Sequence, residues 1–110
     1  MSTPESMNVN DTRLHLTDLQ LQNPMRSVTN GCRVPPSTRI TVKAAVRDGR
    51  AIGVTVRARV ERPKAARPPA GRAAKAEAKR LAKITACVDK AVRLTVWPPS
   101  QRRDSLTMEF

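Results

Sequence analysis

The stretch from Thr38 to Val60, TRITVKAAVRDGRAIGVTVRARV, decides the fold. Ile40, Val42, Ala44 and Val46 alternate with Arg39, Thr41, Lys43 and Arg47. Ile52, Val54, Val56, Ala58 and Val60 then alternate with Gly53, Thr55, Arg57 and Arg59. A period of two with β-branched residues describes strands with one buried and one wet face. Asp48-Gly49 between them is a hairpin turn. A bare two-residue loop pairs Ala44 with Gly53 and Lys43 with Val54, which sets the two apolar stripes on opposite faces. A three-residue loop, Arg47-Asp48-Gly49, pairs Ala44 with Ile52, Val42 with Val54 and Ile40 with Val56. It also puts Gly49 at the left-handed position such a loop needs. The sequence therefore predicts the bulged three-residue loop.

Toward the C-terminus, residues 61–72, ERPKAARPPAGR, hold three Pro and one Gly and read as a basic, Pro-rich linker inside the domain. Residues 73–93 read as a helix rich in Ala, Lys, Glu, Arg and Leu. Leu81, Ile84, Val88, Ala91 and Val92 form its apolar stripe, with Lys75, Lys79 and Lys90 off it. The first two turns lack a large apolar residue and are expected to fray. Trp97-Pro98-Pro99 ends the helical region. DSLTMEF, residues 104–110, alternates Leu106, Met108 and Phe110 inward as a last strand.

Toward the N-terminus, Asn23-Pro24 predicts a short helix over 24–30, with Asn23 as cap and Gly31 as the stop. Val34-Pro35-Pro36 gives it an extended exit. Residues 1–22 form a poorly determined N-terminal arm. Asp11 or Thr12 could cap a helix. The spacing Leu14, Leu16, then Leu19, Leu21 fits two short extended pieces around Thr17-Asp18, and a floppy or partner-paired arm fits as well. The predicted fold class is α+β, with a single domain over 23–110. Its order is short helix, β-hairpin, long helix and C-terminal strand, giving a three-stranded antiparallel sheet with the helix packed on one face.

Composition bounds the rest. Apolar residues make up 39% of the 110, but 14 of them are Ala, and the only Trp and Phe are Trp97 and Phe110. A core that thin calls for a staple or a partner. Cys32 and Cys87 are small buried hydrophobes in a reducing compartment and a disulfide in an oxidising one. Their positions, just before the first long strand and beside the stripe of the helix, favour the disulfide. Closing that loop is worth roughly 4 kcal/mol by chain entropy. No apolar run reaches the ~20 residues that span a bilayer, so no transmembrane segment is expected. The opening residues MSTPESMNVND are not those of a secretory leader, so an export signal would have to lie upstream.

The chemistry-bearing residues point away from catalysis. The lone His15 lies in the doubtful arm, no Ser or Cys stands in a recognisable nucleophile context, and phosphate-binding Gly loops are absent. Two Cys and one His do not make a zinc site. A non-enzymatic chain with no cofactor and no metal is expected. The net charge of +12 favours acidic partners. Residues 57–83 concentrate it in Arg57, Arg59, Arg62, Lys64, Arg67, Arg72, Lys75, Lys79, Arg80 and Lys83, against Glu61 and Glu77. This stretch supports an alternative function, binding of the phosphate backbone of nucleic acid. It holds no aromatic residue for base stacking. Trp97 reads as core in preference to an interface anchor.

The run ITVKAAVRDGRAIGVTV, the helix carrying CVDKAVRLTVWPP and the closing strand together resemble the TonB C-terminal domain. The cysteine-pair branch found in myxobacterial gliding-motility and envelope proteins is the nearest likeness. Cys32, Asp48-Gly49, Cys87-Val88, Ala91-Val92-Arg93 and Trp97-Pro98 stand in that family's order, over about residues 24–110. Thr95 and Arg33 stand where the family has aromatics. The resemblance implies a non-catalytic protein-interaction domain, in the periplasm or envelope when an upstream signal exports it and in the cytoplasm otherwise. It implies pairing by edge-strand addition with another envelope protein, or with a second copy through the sheet edges. Leu106, Met108, Phe110 and Trp97 are then the expected contacts, and transport across the envelope the expected setting.

Overall fold

The computed structural model describes residues 15–110. Leu14 and the expected cap at Asp11 or Thr12 lie outside the described residues. The hairpin forms where its alternation places it, as β1 (Thr38–Arg47) and β2 (Arg50–Val60). Its turn, however, has two residues. Arg47 faces Arg50, and Asp48 and Gly49 take φ of 52° and 84°. Both are left-handed, the signature of a tight turn that follows strand twist.

The single shared apolar face is restored inside the strand. Val46 faces Ala51 and Ala45 faces Gly53, so Ile52 is an extra residue, a β-bulge. Beyond it Ala44 faces Val54, Val42 faces Val56 and Ile40 faces Ala58. The expected three-residue loop and its register are therefore corrected by two residues on β2. The turn keeps its preferred geometry, and the bulge absorbs the parity error. Ile52 leaves the inward stripe and is 55% exposed.

β3 (Asp104–Glu109) pairs antiparallel with the other side of β1, giving the order β2-β1-β3. Leu106 faces Ala44 and Met108 faces Val42. Phe110 extends the ladder by exchanging backbone hydrogen bonds with Ile40, at 2.8 and 3.1 Å. α2 spans Gly71–Leu94, with Ile84, Val88 and Val92 buried and Leu81 and Ala91 half-buried. Its first turns are helical although no large apolar residue anchors them, because Ala, Lys, Glu and Arg are strong helix formers.

The N-terminal residues depart most from expectation. α1 (Asp18–Gln22) stands where extended pieces were predicted. Thr17 and Gln20 form a reciprocal capping box: the Gln20 N–H donates to Thr17 Oγ1, and the Thr17 N–H donates to Gln20 Oε1. In five residues a helix needs no long apolar stripe. Leu16 and Leu21 turn into the core and Leu19 is exposed. Residues 15–22 are thus packed on the domain, and the arm predicted there is corrected accordingly. Two 3-10 turns, Asn23–Met25 and Asn30–Cys32, replace the helix expected over 24–30. Asn23 closes α1 instead of starting a helix, and the left-handed residue is Arg33 rather than Gly31. The turns serve to send Met25 and Val28 into the core.

One face of the sheet is consequently roofed in two pieces. α2 lies over β2, and the N-terminal segment covers the β3 side. Trp97 seals the joint at 2% exposure. Its indole N–H donates to the Leu21 carbonyl and its backbone N–H to the Gly49 carbonyl, both at 2.9 Å.

Candidate partner-binding surfaces

Cys32 and Cys87 are joined as a disulfide, with α-carbons 5.7 Å apart, and it ties the two roof pieces together. Cys32 ends the second 3-10 turn, and Cys87 flanks the buried Val88 on α2. The placement follows from the fold, since α2 crosses the sheet beside the point where the chain enters β1.

β1 is paired on both sides, whereas β2 pairs only with β1. Among the described residues the outer edge of β2 meets no strand, and no proline interrupts residues 50–60. Beside that edge, where α2 overhangs β2, lies an open groove of about 500 Å³. Val56, Ala86, Lys90 and Leu94 line it, and the Asp89–Arg93 ion pair, 2.6 Å, borders it. Leu94, the last residue of α2, and Val96 just beyond it are exposed.

The residues expected to contact a partner lie elsewhere. Leu106 and Trp97 are buried, and Met108 and Phe110 are half-buried against the core. They serve packing, because β3 already spends its inward face on the sheet. The basic stretch is split by the fold. Alternation puts Arg57 and Arg59 on the sheet face away from α2, while Arg72, Lys75, Lys79, Arg80 and Lys83 are on the exposed faces of the helix. Lys64 and Arg67 are exposed in the connecting loop, and Arg62 forms an ion pair with Glu77. The stretch contiguous in sequence is therefore not one surface.

Two polar contacts carry information that the sequence reading missed. Asp104, inward at the start of β3, accepts the Leu16 N–H at 3.0 Å, with His15 Nδ1 2.9 Å from its other oxygen. A carboxylate in line with Leu106 and Met108 was the available signal for a tether. Glu61 receives the Arg39 guanidinium through two hydrogen bonds, 3.1 and 3.2 Å. Those bonds, and then the guanidinium charge, hold its carboxyl below the usual range. No group of three or more metal-ligating side chains occurs among the described residues. No described helix is long and apolar enough to cross a membrane.

No family model, curated protein or solved structure matches the chain.

Proposed function

We propose that the chain is a non-catalytic protein-interaction module of TonB C-terminal type, which binds an envelope partner by adding the partner's strand to the edge of β2. The observation that carries this reading is the unpaired β2 edge lying beside a groove. An added strand takes its affinity from backbone hydrogen bonds and its selectivity from alternate side chains reaching that groove. The disulfide supports an oxidising compartment, as the periplasm is. Arg50, Arg57 and Arg59 line the edge strand, and like charges oppose pairing of two β2 edges. A different polypeptide is therefore the favoured partner over a second copy.

The test is selection of peptides from a displayed library, followed by backbone amide mapping on the full chain. Binding should shift and protect amides of β2, residues 50–60, and Ala86→Glu should abolish it. Ala86 is exposed, so that change blocks the groove without touching the core. Binders that perturb only β3 or the helix N-terminus, or that ignore Ala86→Glu, would refute the reading.

A further inference from the structure

The sheet face opposite α2 has no described element on it, and its side chains are ordered in rows by the strand register. One row is Gly53, Ala45 and Ser105, running straight across the three strands. The row on one side is Thr55, Lys43 and Thr107. On the other side Arg50 faces Arg47. Short side chains between longer ones make a transverse trough; its depression, about 560 Å³ along the Gly53 row, is lined by Lys43, Thr55, Thr107, Ile52 and Arg93 of α2, and the Arg47–Arg50 row lies beyond Ile52. The rows are about 7 Å apart along each strand, so the walls stand about 14 Å apart.

Two features of this trough are not required by packing. The first is Gly53. Glycine weakens a strand interior and often marks a bulge, such as the one at Ile52, or close approach by a ligand or another backbone. Here its φ is not positive, and an added Cβ would meet only the Ala45 Cβ, at 3.9 Å. Neither backbone geometry nor space requires glycine. The second is charge. Arg47 and Arg50 face each other directly, as do Arg39 and Arg59, an arrangement that costs stability. Arg39 is relieved by Glu61. Among the described residues Arg47 and Arg50 form no ion pair. Asp48 is in the turn, Glu109 is in the row of Thr41, and Asp89 is held by Arg93. Past Ile52 the positive rim continues into a neighbouring hollow, where Arg102 and Arg103 join Arg47.

We propose that this trough binds a linear acidic polysaccharide. Lys43 and Arg93 in the depression, with the Arg47–Arg50 pair beyond Ile52, match a chain that carries a charge on repeated units. Ser105, Thr55 and Thr107 supply hydroxyl groups for its sugar oxygens. The chain lies across the strands, with its charges between Lys43 and the Arg47–Arg50 pair. The face holds no aromatic residue, so nucleobases would find nothing to stack on. The disulfide favours a compartment where glycans rather than nucleic acids are the common polyanions.

The test is calorimetric titration of the oxidised full chain with polygalacturonate, heparin, neutral dextran and a DNA duplex. At low salt, polygalacturonate or heparin should bind and dextran should not, with affinity falling as salt rises. Gly53→Val fills the trough with a residue suited to strands. It should leave thermal stability equal or higher, yet weaken binding by about tenfold or more. Arg47→Ser with Arg50→Ser should weaken binding comparably, while Lys75→Ser, Lys79→Ser and Lys83→Ser together should not. Absence of binding to both acidic glycans would overturn the proposal. So would full affinity in a folded Gly53→Val protein, an equal loss in the helix variant, or tighter binding to the duplex.

Discussion

Gly49 is held at φ 84° with its α-carbon turned toward Trp97, and a Cβ placed there would lie 2.9 Å from the Trp97 carbonyl oxygen. Both the backbone conformation and the space demand glycine. Gly49→Ala should destabilise the protein by about 1–3 kcal/mol, read as a lower midpoint in thermal unfolding. At Glu61 the effect is one of proton binding. Its folded pKa lies below its unfolded value, so its contribution to stability is present above the ordinary glutamate range. That contribution fades as pH falls through the lowered value. Carboxyl titration by NMR should find Glu61 below the usual range, and Arg39→Ala should return it there. Asp48-Gly49 was legible because few dipeptides tolerate two left-handed residues. Thr17 and Gln20 carried an equally local capping signal, but the uneven leucine spacing around them favoured extended chain.

Among the elements, the hairpin shows why strands were readable and their register was not. Alternation says which side chains share a face within each strand. It does not say where an odd residue is absorbed. A three-residue loop and a two-residue turn with a bulge satisfy the same apolar pattern, and only the folded backbone separates them. The bulge makes an unusual prediction. Removing Ile52 would place Ala51 directly before Gly53, leaving every other β1–β2 partner and both faces unchanged. The deletion should therefore fold, with a melting midpoint close to the parent. Deleting Thr55 reverses the faces of the strand between bulge and deletion and should cause a large loss. Circular dichroism melts of the two proteins decide the matter. At the other end, Thr17→Ala removes the cap of α1 and should cost about 1 kcal/mol, seen as faster amide exchange in α1.

For the whole molecule, the two-layer α+β arrangement could be argued from pattern because each layer has a simple period. The N-terminal half of the roof could not be, since its core residues come from irregular turns. Leu16, Leu21, Met25 and Val28 have no common spacing, and only the final packing gives them a shared inside. The surfaces were less legible still. Arg57 and Lys75 belong to one basic stretch of sequence but lie on different surfaces. The Gly53–Ala45–Ser105 row exists only after three strands are in register. The disulfide acts on the stability of the whole molecule. Cys32→Ser with Cys87→Ser should cost about 4 kcal/mol in denaturant unfolding by the chain-entropy account.

The same bond has a mechanical side. It closes residues 32–87 into a covalent ring whose two junction α-carbons stay 5.7 Å apart. All of β2 lies inside that ring. Tension applied to the two ends of the polypeptide would strip β3 and α1 first, since both lie outside it. The segment between the cysteines would bear no stretch at all. A strand gripping β2 is thus anchored to the part of the chain that pulling cannot unravel, so a load borne there should be released by slippage between the two strands before the ring gives way.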